Sequence, residues 1–262
     1  MRAAATSRPA RDLALAITLL TVVPLRVRWP DAERPDVAGY FPVAGVLLGT
    51  VAYLLLYAPV TLGVPFGAED PLRSLLLAAL LVTAWALLTR MLHWDGLADV
   101  MDAYWVGHDK ARRLEIMDDA HVGAFGVTAL LLAASIQVTA ISVLINGSEL
   151  LAVVLVPVLG RYAAVFGSWF GSPAKKTGLG AAVTGRPRTA SVIVAMTILA
   201  AAAALAWTTG TTPSLAVALC VVIALGVPHA LASRFGGVTG DVLGASVLLT
   251  ETAAAVLFAL VW

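Results

Sequence analysis

Three aspartates fall within eight residues in His93-Trp94-Asp95-Gly96-Leu97-Ala98-Asp99-Val100-Met101-Asp102. If this segment is helical, steps of about 100° per residue turn Asp99 and Asp102 by about +40° and about −20° from Asp95. All three carboxylates then share one narrow face. Like charges packed so closely repel unless a cation sits between them. Oxygen-only donors suit a hard ion such as Mg²⁺, which shares its shell among one or two carboxylates, water and substrate phosphates. Asp95, Asp99 and Asp102 are therefore the candidate metal ligands, and the plain alternative is a solvated acidic face.

Four other segments carry chemistry. Arg112 and Arg113 precede Glu115, Asp118, Asp119 and His121. Along a helix the arginines can pair with Glu115 or Asp119. Alternatively they hold a phosphate while Asp118 and His121, three apart on one face, look into the site. Lys175-Lys176-Thr177-Gly178-Leu179-Gly180 is basic and glycine-containing, suited to phosphate because backbone N–H groups can approach closely, although it also fits a plain basic loop. In Arg234-Phe235-Gly236-Gly237-Val238-Thr239-Gly240-Asp241, three glycines run into a helix that Thr239 or Asp241 can cap. Asp241 can instead join the metal site. Finally, Arg161 and Glu251 interrupt apolar runs, and ionisable groups inside a membrane are functional candidates. Arg161 can balance the aspartates; Glu251 can sit at a helix contact.

The elements that position these residues follow from composition. The chain is 60% hydrophobic and 13% charged, where soluble domains carry roughly 25% charged residues. Mean hydropathy is +0.91, so the membrane is the natural solvent. Seven segments are long enough to span it: 37–60, 72–92, 122–145, 149–170, 189–208, 213–233 and 241–262. The fold expected is an all-α, polytopic helical bundle forming a single domain over residues 1–262. The apolar run 13–23 lacks a cleavage site and reads as a retained helix at or partly in the membrane. A net charge of +1 argues against a nucleic-acid partner, and the single cysteine, Cys220, excludes disulfides and cysteine metal clusters.

Lysine and arginine alternate across the connections. Arg2, Arg8, Arg11, Arg26, Arg28 and Arg34 precede the first span, and Arg73 alone marks the next connection. Arg90, Lys110, Arg112 and Arg113 follow, then none. Lys175, Lys176, Arg186 and Arg188 follow, then none, then Arg234, then none. The positive-inside rule puts the N-terminus and segments 94–121, 171–188 and 234–240 in the cytoplasm. Every chemically interesting loop falls on that side.

Together these segments resemble the cobalamin synthase family, the adenosylcobinamide-GDP ribazoletransferases. The residues that carry the resemblance are Phe41-Pro42-Val43-Ala44-Gly45, His93 to Asp99 with Asp102, and Arg112 to Asp118 leading to Gly123 and Phe125-Gly126. Arg161, Gly178-Leu179-Gly180, and Gly236 to Asp241 with Gly244 continue the pattern, which runs from about residue 13 to the C-terminus. Trp94 departs from it, standing where the family has a smaller aliphatic residue.

The resemblance implies a bacterial or archaeal inner-membrane enzyme of vitamin B12 assembly with its active site facing the cytoplasm. It implies that α-ribazole, or its 5′-phosphate, is joined to adenosylcobinamide-GDP, giving adenosylcobalamin or its 5′-phosphate plus GMP. Mg²⁺ is implied as cofactor. The membrane lipid surrounds the protein, and a homo-oligomer or a complex with other cobalamin-assembly enzymes is left open. The catalytic set is then His93, Asp95, Asp99, Asp102 and Asp241, with His93 or a free aspartate accepting the nucleoside hydroxyl proton. Arg112, Arg113, Asp118, His121, Arg161, Lys175, Lys176, Gly236, Gly237 and Gly240 form the phosphate-binding set.

Two other readings compete. A CDP-alcohol-type phospholipid phosphotransferase also uses membrane carboxylates, but Asp99 stands where that pattern has arginine. A secondary transporter predicts inverted repeats and a mid-membrane site. No repeat is visible, and the carboxylates lie at the membrane edge.

Overall fold

The computed structural model describes residues 7–30, 34–61, 70–107, 109–119 and 121–262. Arg2, counted above among the N-terminal basic residues, lies outside them. Eleven α-helices are found among the described residues, and seven are long and apolar enough to cross a membrane. In chain order the helices are α1 (Arg8–Leu20), α2 (Phe41–Thr61), α3 (Pro71–Leu88), α4 (Leu92–Tyr104), α5 (Lys110–Met117), α6 (Ala124–Asn146), α7 (Leu150–Phe170), α8 (Leu179–Val183), α9 (Thr189–Thr209), α10 (Thr211–Phe235) and α11 (Gly240–Val261).

The spans are α2 with the 3₁₀ turn before it, α3, α6, α7, α9, α10 and α11. Helix α1 has 13 residues, rises only about 20 Å and is too short to cross a bilayer of about 30 Å. Large apolar side chains point outward along the spans, among them Leu54, Leu76, Leu131, Ile193 and Val222. That surface suits lipid, because helices satisfy their own backbone hydrogen bonds.

Helices α7 and α11 form the centre, and both are mostly enclosed by their neighbours. Small residues set the approach of α2 to α7. A Cβ at Gly45 would lie 2.6 Å from the Pro157 carbonyl oxygen, and one at Gly49 would lie 2.6 Å from that of Val154. Glycines four apart let helix backbones touch, and without a hydrophobic drive between helices in lipid such packing supplies much of the association.

One boundary differs from the sequence expectation. The span expected over 72–92 ends earlier: α3 stops at Leu88, and Arg90 and Met91 take left-handed φ values of 53° and 55°. The Met91 N–H donates to the Ala86 carbonyl at 2.7 Å, closing the end of α3. Arg90 then donates to the carbonyls of Thr18 and Leu19 at 2.9 and 2.8 Å, satisfying the exposed C-terminus of α1. The tertiary partner decides the break. It frees α4 to turn away from α3 and lie against α11 and α6.

Candidate active site

Helix α4 carries the three aspartates, with Asp95 exposed and Asp99 and Asp102 half-buried. Gly96 and Gly244 let α4 meet α11 backbone to backbone. A Cβ at Gly96 would lie 2.8 Å from the Asp241 carbonyl oxygen, and one at Gly244 would lie 3.1 Å from that of Leu92. This approach sets Asp241, in the first turn of α11, beside the α4 carboxylates. Burial first, then the neighbouring charges of Asp95, Asp241, Asp102 and Asp118, push the Asp99 carboxyl up to about 7. Negative charge is therefore concentrated around Asp99, with Lys175 the cation nearest to it through its pair with Asp118.

Asp102 does other work. Gly123 and Gly126 donate their backbone N–H groups to its two oxygens at 2.6 and 2.8 Å, so Asp102 caps α6 from α4. Helix α6 has no side-chain cap of its own, because its N-cap residue is Gly123. A Cβ at Gly123 or Gly126 would come within 2.5 Å of the Asp102 carboxylate. The three aspartates share a helical face as their spacing implies, but Asp102 turns its oxygens to the backbone of α6.

Beside this cluster lies a cavity of about 330 Å³, bounded by Leu92, Asp118, the 175–181 segment and the 238–241 turn. The sequence has to bring four distant segments here, and the two loops do it by pairing. Ser172 and Ala174 exchange hydrogen bonds with Val238 at 2.8 and 3.0 Å, forming an isolated bridge between Pro173 and Val238. Gly236 and Gly237 adopt φ of 77° and 149°, and a Cβ at Gly237 would lie 2.6 Å from the Ser172 carbonyl oxygen. Only glycine fits such a junction without strain. Thr239 then caps α11, accepting the Val242 N–H at 3.1 Å and aiming Asp241 into the cavity. Lys175 closes the other side, its ammonium 2.7 and 2.6 Å from the two oxygens of Asp118.

Several candidates lie elsewhere. Arg113 is buried, and its guanidinium donates to the carbonyls of Val106 and Arg234, each at 2.8 Å, and to that of Gly107. It holds the α4–α5 turn to the end of α10 and has no fork free for phosphate. Arg112 forms an exposed pair with Glu115 at 2.9 Å. His121 is exposed and bonds Asp119 at 2.7 Å, a contact that holds the Asp119 carboxyl below its usual range. Arg161, 1% exposed, is paired with Glu251 inside the bundle, and Gly160 leaves the room for the Glu251 side chain. His93 is buried with neither ring nitrogen bonded, and it lines a chamber of only about 20 Å³ adjoining the main cavity. Burial, then the Arg161 charge, hold its pKa well below the usual imidazole value.

One polar cluster was not read from the sequence. Asp12, 2% exposed, accepts the Asp36 N–H at 3.2 Å and pairs with Arg188 at 3.2 Å, tying α1 and the segment before α2 to the N-terminus of α9. Its signal was a carboxylate bordering an apolar run.

Among the described residues, no group of three or more His, Cys, Asp or Glu side chains is arranged to hold a metal ion by itself. Mg²⁺ seldom asks for such a cage, since substrate phosphates complete its shell. The charge concentrated around Asp99, from oxygen donors only, suits an ion shared in that way.

A cavity lined by Asp118, Asp241, Lys175 and a glycine-containing wall, beside the α4 carboxylates, is suited to moving a phosphate-linked group. The chain matches the family model for cobalamin-5-phosphate synthase over residues 12–259. It belongs to this family. Curated relatives support the assignment along nearly the whole length. The adenosylcobinamide-GDP ribazoletransferase of Corynebacterium efficiens is 34% identical over 252 residues, covering 92% of this chain and 88% of that protein. The enzyme of the same name from Frankia casuarinae is 35% identical, covering 94% and 93%. That of Acinetobacter baumannii is 32% identical, covering 91% and 92%. No solved structure matches the chain. As a cobalamin-5-phosphate synthase family member, this protein keeps its carboxylates and basic loop at one end of a seven-span bundle.

Proposed function

We propose that this chain is an adenosylcobinamide-GDP ribazoletransferase of a bacterial or archaeal inner membrane, with its cavity facing the cytoplasm. It joins adenosylcobinamide-GDP to α-ribazole or its 5′-phosphate and releases GMP. The observation that carries this reading is the meeting of Asp241 from α11 with Lys175 and the 178–181 wall in one cavity, beside Asp95 and Asp99. Family membership supplies the substrate class, and the alternating basic loops support the orientation.

In this proposal a free ribose hydroxyl of the nucleoside, other than the 5′ oxygen that carries the phosphate in α-ribazole 5′-phosphate, attacks the phosphorus on the cobinamide side of the pyrophosphate, and GMP leaves. Asp95, Asp99 and Asp241 would hold Mg²⁺, which when bound neutralises pyrophosphate oxygens. Phosphoryl transfer is catalysed mainly by positioning and charge. Lys175 and exposed Lys176 supply positive charge to the departing GMP, and the backbone at Gly178 and Gly180 lets its phosphate approach. The hydroxyl proton passes to a carboxylate of the cluster rather than to His93, whose ring is buried and does not line the main cavity.

The deciding experiment is turnover by purified protein in liposomes, given adenosylcobinamide-GDP and α-ribazole or its phosphate, with Mg²⁺ or EDTA. Mg²⁺-dependent formation of both GMP and the corrinoid product supports the reading. Folded protein that makes no corrinoid product overturns it, and lipid-linked nucleotide donors would be assayed next.

A further inference from the structure

Helix α8 has a second cavity on its other side. Residues 178–181 face the carboxylate cavity, whereas 182–185 close a separate space of about 250 Å³ with Arg34, Asp36, Arg186 and Arg188. Three arginines line it with one carboxylate, Asp36, and with Asp12 paired to Arg188 from behind, the group keeps a net charge of +1. The carboxylate is already engaged: Asp36 accepts the Arg188 N–H at 2.5 Å and the Ser191 hydroxyl. Arg188 is fixed as a wall by Asp12 and by the Arg34 carbonyl, each at 3.2 Å. The side chains of Arg34 and Arg186 are exposed and have no hydrogen-bond or ion-pair partner among the described residues.

We propose that this cavity binds a phosphate-bearing anion, divided by α8 from the carboxylate site. Two free guanidinium forks beside a fixed third are the arrangement that takes phosphate oxygens in pairs. Basic side chains on the loops at one end of a membrane bundle meet that chemistry in two forms, the headgroup of an anionic phospholipid and a soluble phosphate ester.

The test compares the full-length wild type with Arg34→Gln/Arg186→Gln, both purified in a non-ionic detergent. One arm measures retention of phosphatidylglycerol against phosphatidylcholine by native mass spectrometry. The other titrates inorganic phosphate in EDTA, so that no cation recruits it to the carboxylates, and follows the unfolding temperature. The double variant is expected to unfold with the wild type when no ligand is present, and to bind about tenfold more weakly in one arm. Loss in the lipid arm identifies a headgroup site, and loss in the phosphate arm a site for a soluble ester. Arg186→Lys, which keeps the charge but not the fork, should recover part of the binding. Equal binding by both proteins in both arms overturns the proposal. So does a double variant that is destabilised without ligand, since the arginines would then belong to the fold.

Discussion

The Asp102 carboxylate, on α4, accepts the backbone N–H of Gly126, on α6, at 2.8 Å, across 24 residues of sequence. With the Gly123 N–H on its other oxygen, this one side chain satisfies donors that the α6 terminus has no residue of its own to bond. Asp102→Ala should therefore lower stability by about 1–3 kcal/mol, as loss of a cap and a charge-assisted acceptor does. Thermal unfolding in detergent checks this. An unfolding temperature equal to that of the wild type, with turnover abolished, would instead assign Asp102 to the metal.

Asp99 should behave in the opposite way. Its carboxyl titrates at about 7 in the fold against 3.8 for the free side chain, so ionising it works against folding. Without Mg²⁺, stability should fall as pH rises from about 4 to 7 and return on acidification. Asp99→Asn should flatten that slope and raise stability at pH 8 by about 1 kcal/mol, a value discounted for partial exposure. The same variant should lose at least about a hundredfold in turnover if Asp99 serves the reaction.

Proton and cation compete for Asp99 when Mg²⁺ is its ligand. Below pH about 7 the half-saturating Mg²⁺ concentration should rise about tenfold per pH unit, and above it should level off. Steady-state rates over a Mg²⁺ series at pH 6, 7 and 8 give the slope. A requirement independent of pH would remove Asp99 from the cation site.

The Lys175–Asp118 pair is partly exposed, with 35% and 64% of the side-chain surfaces open to solvent. A double-mutant cycle on stability should give a coupling below about 1 kcal/mol. Lys175→Ala should nevertheless lower kcat/KM for the GDP-bearing substrate about 10- to 100-fold, because a cation facing a phosphate matters more than one facing water. Stability and kinetics thus separate a clasp from a substrate contact.

Arg161 and Glu251 form an ion pair inside the bundle. Arg161→Met should destabilise by about 3–5 kcal/mol, since Glu251 would be left charged and alone, and Arg161→Met/Glu251→Gln should recover most of the loss. Unfolding temperatures of the three proteins decide it. Unchanged stability with a raised KM in the single variant would return Arg161 to phosphate binding.

Much of the architecture was legible in the residues alone because its cause is local. Seven spans follow from runs of apolar side chains, a property each segment carries by itself. The common face of Asp95, Asp99 and Asp102 follows from helical pitch, and the turn into α11 follows from Gly236, Gly237 and Thr239. Partnerships were not legible in that way. Arg113 reads as a phosphate ligand or a partner of Glu115 or Asp119, Arg161 as a balance to the aspartates and Asp102 as a metal ligand, yet their partners are the carbonyls of the α4–α5 turn and α10, a glutamate 90 residues away, and the amides of α6. A charge inside or beside a membrane must be neutralised or bonded, and sequence states that need without naming the group that meets it. The meeting of Asp241 with α4 was likewise decided in three dimensions. It depends on Gly96 and Gly244 letting two helix backbones touch, and a close approach is a property of the pair of surfaces, which neither segment contains alone.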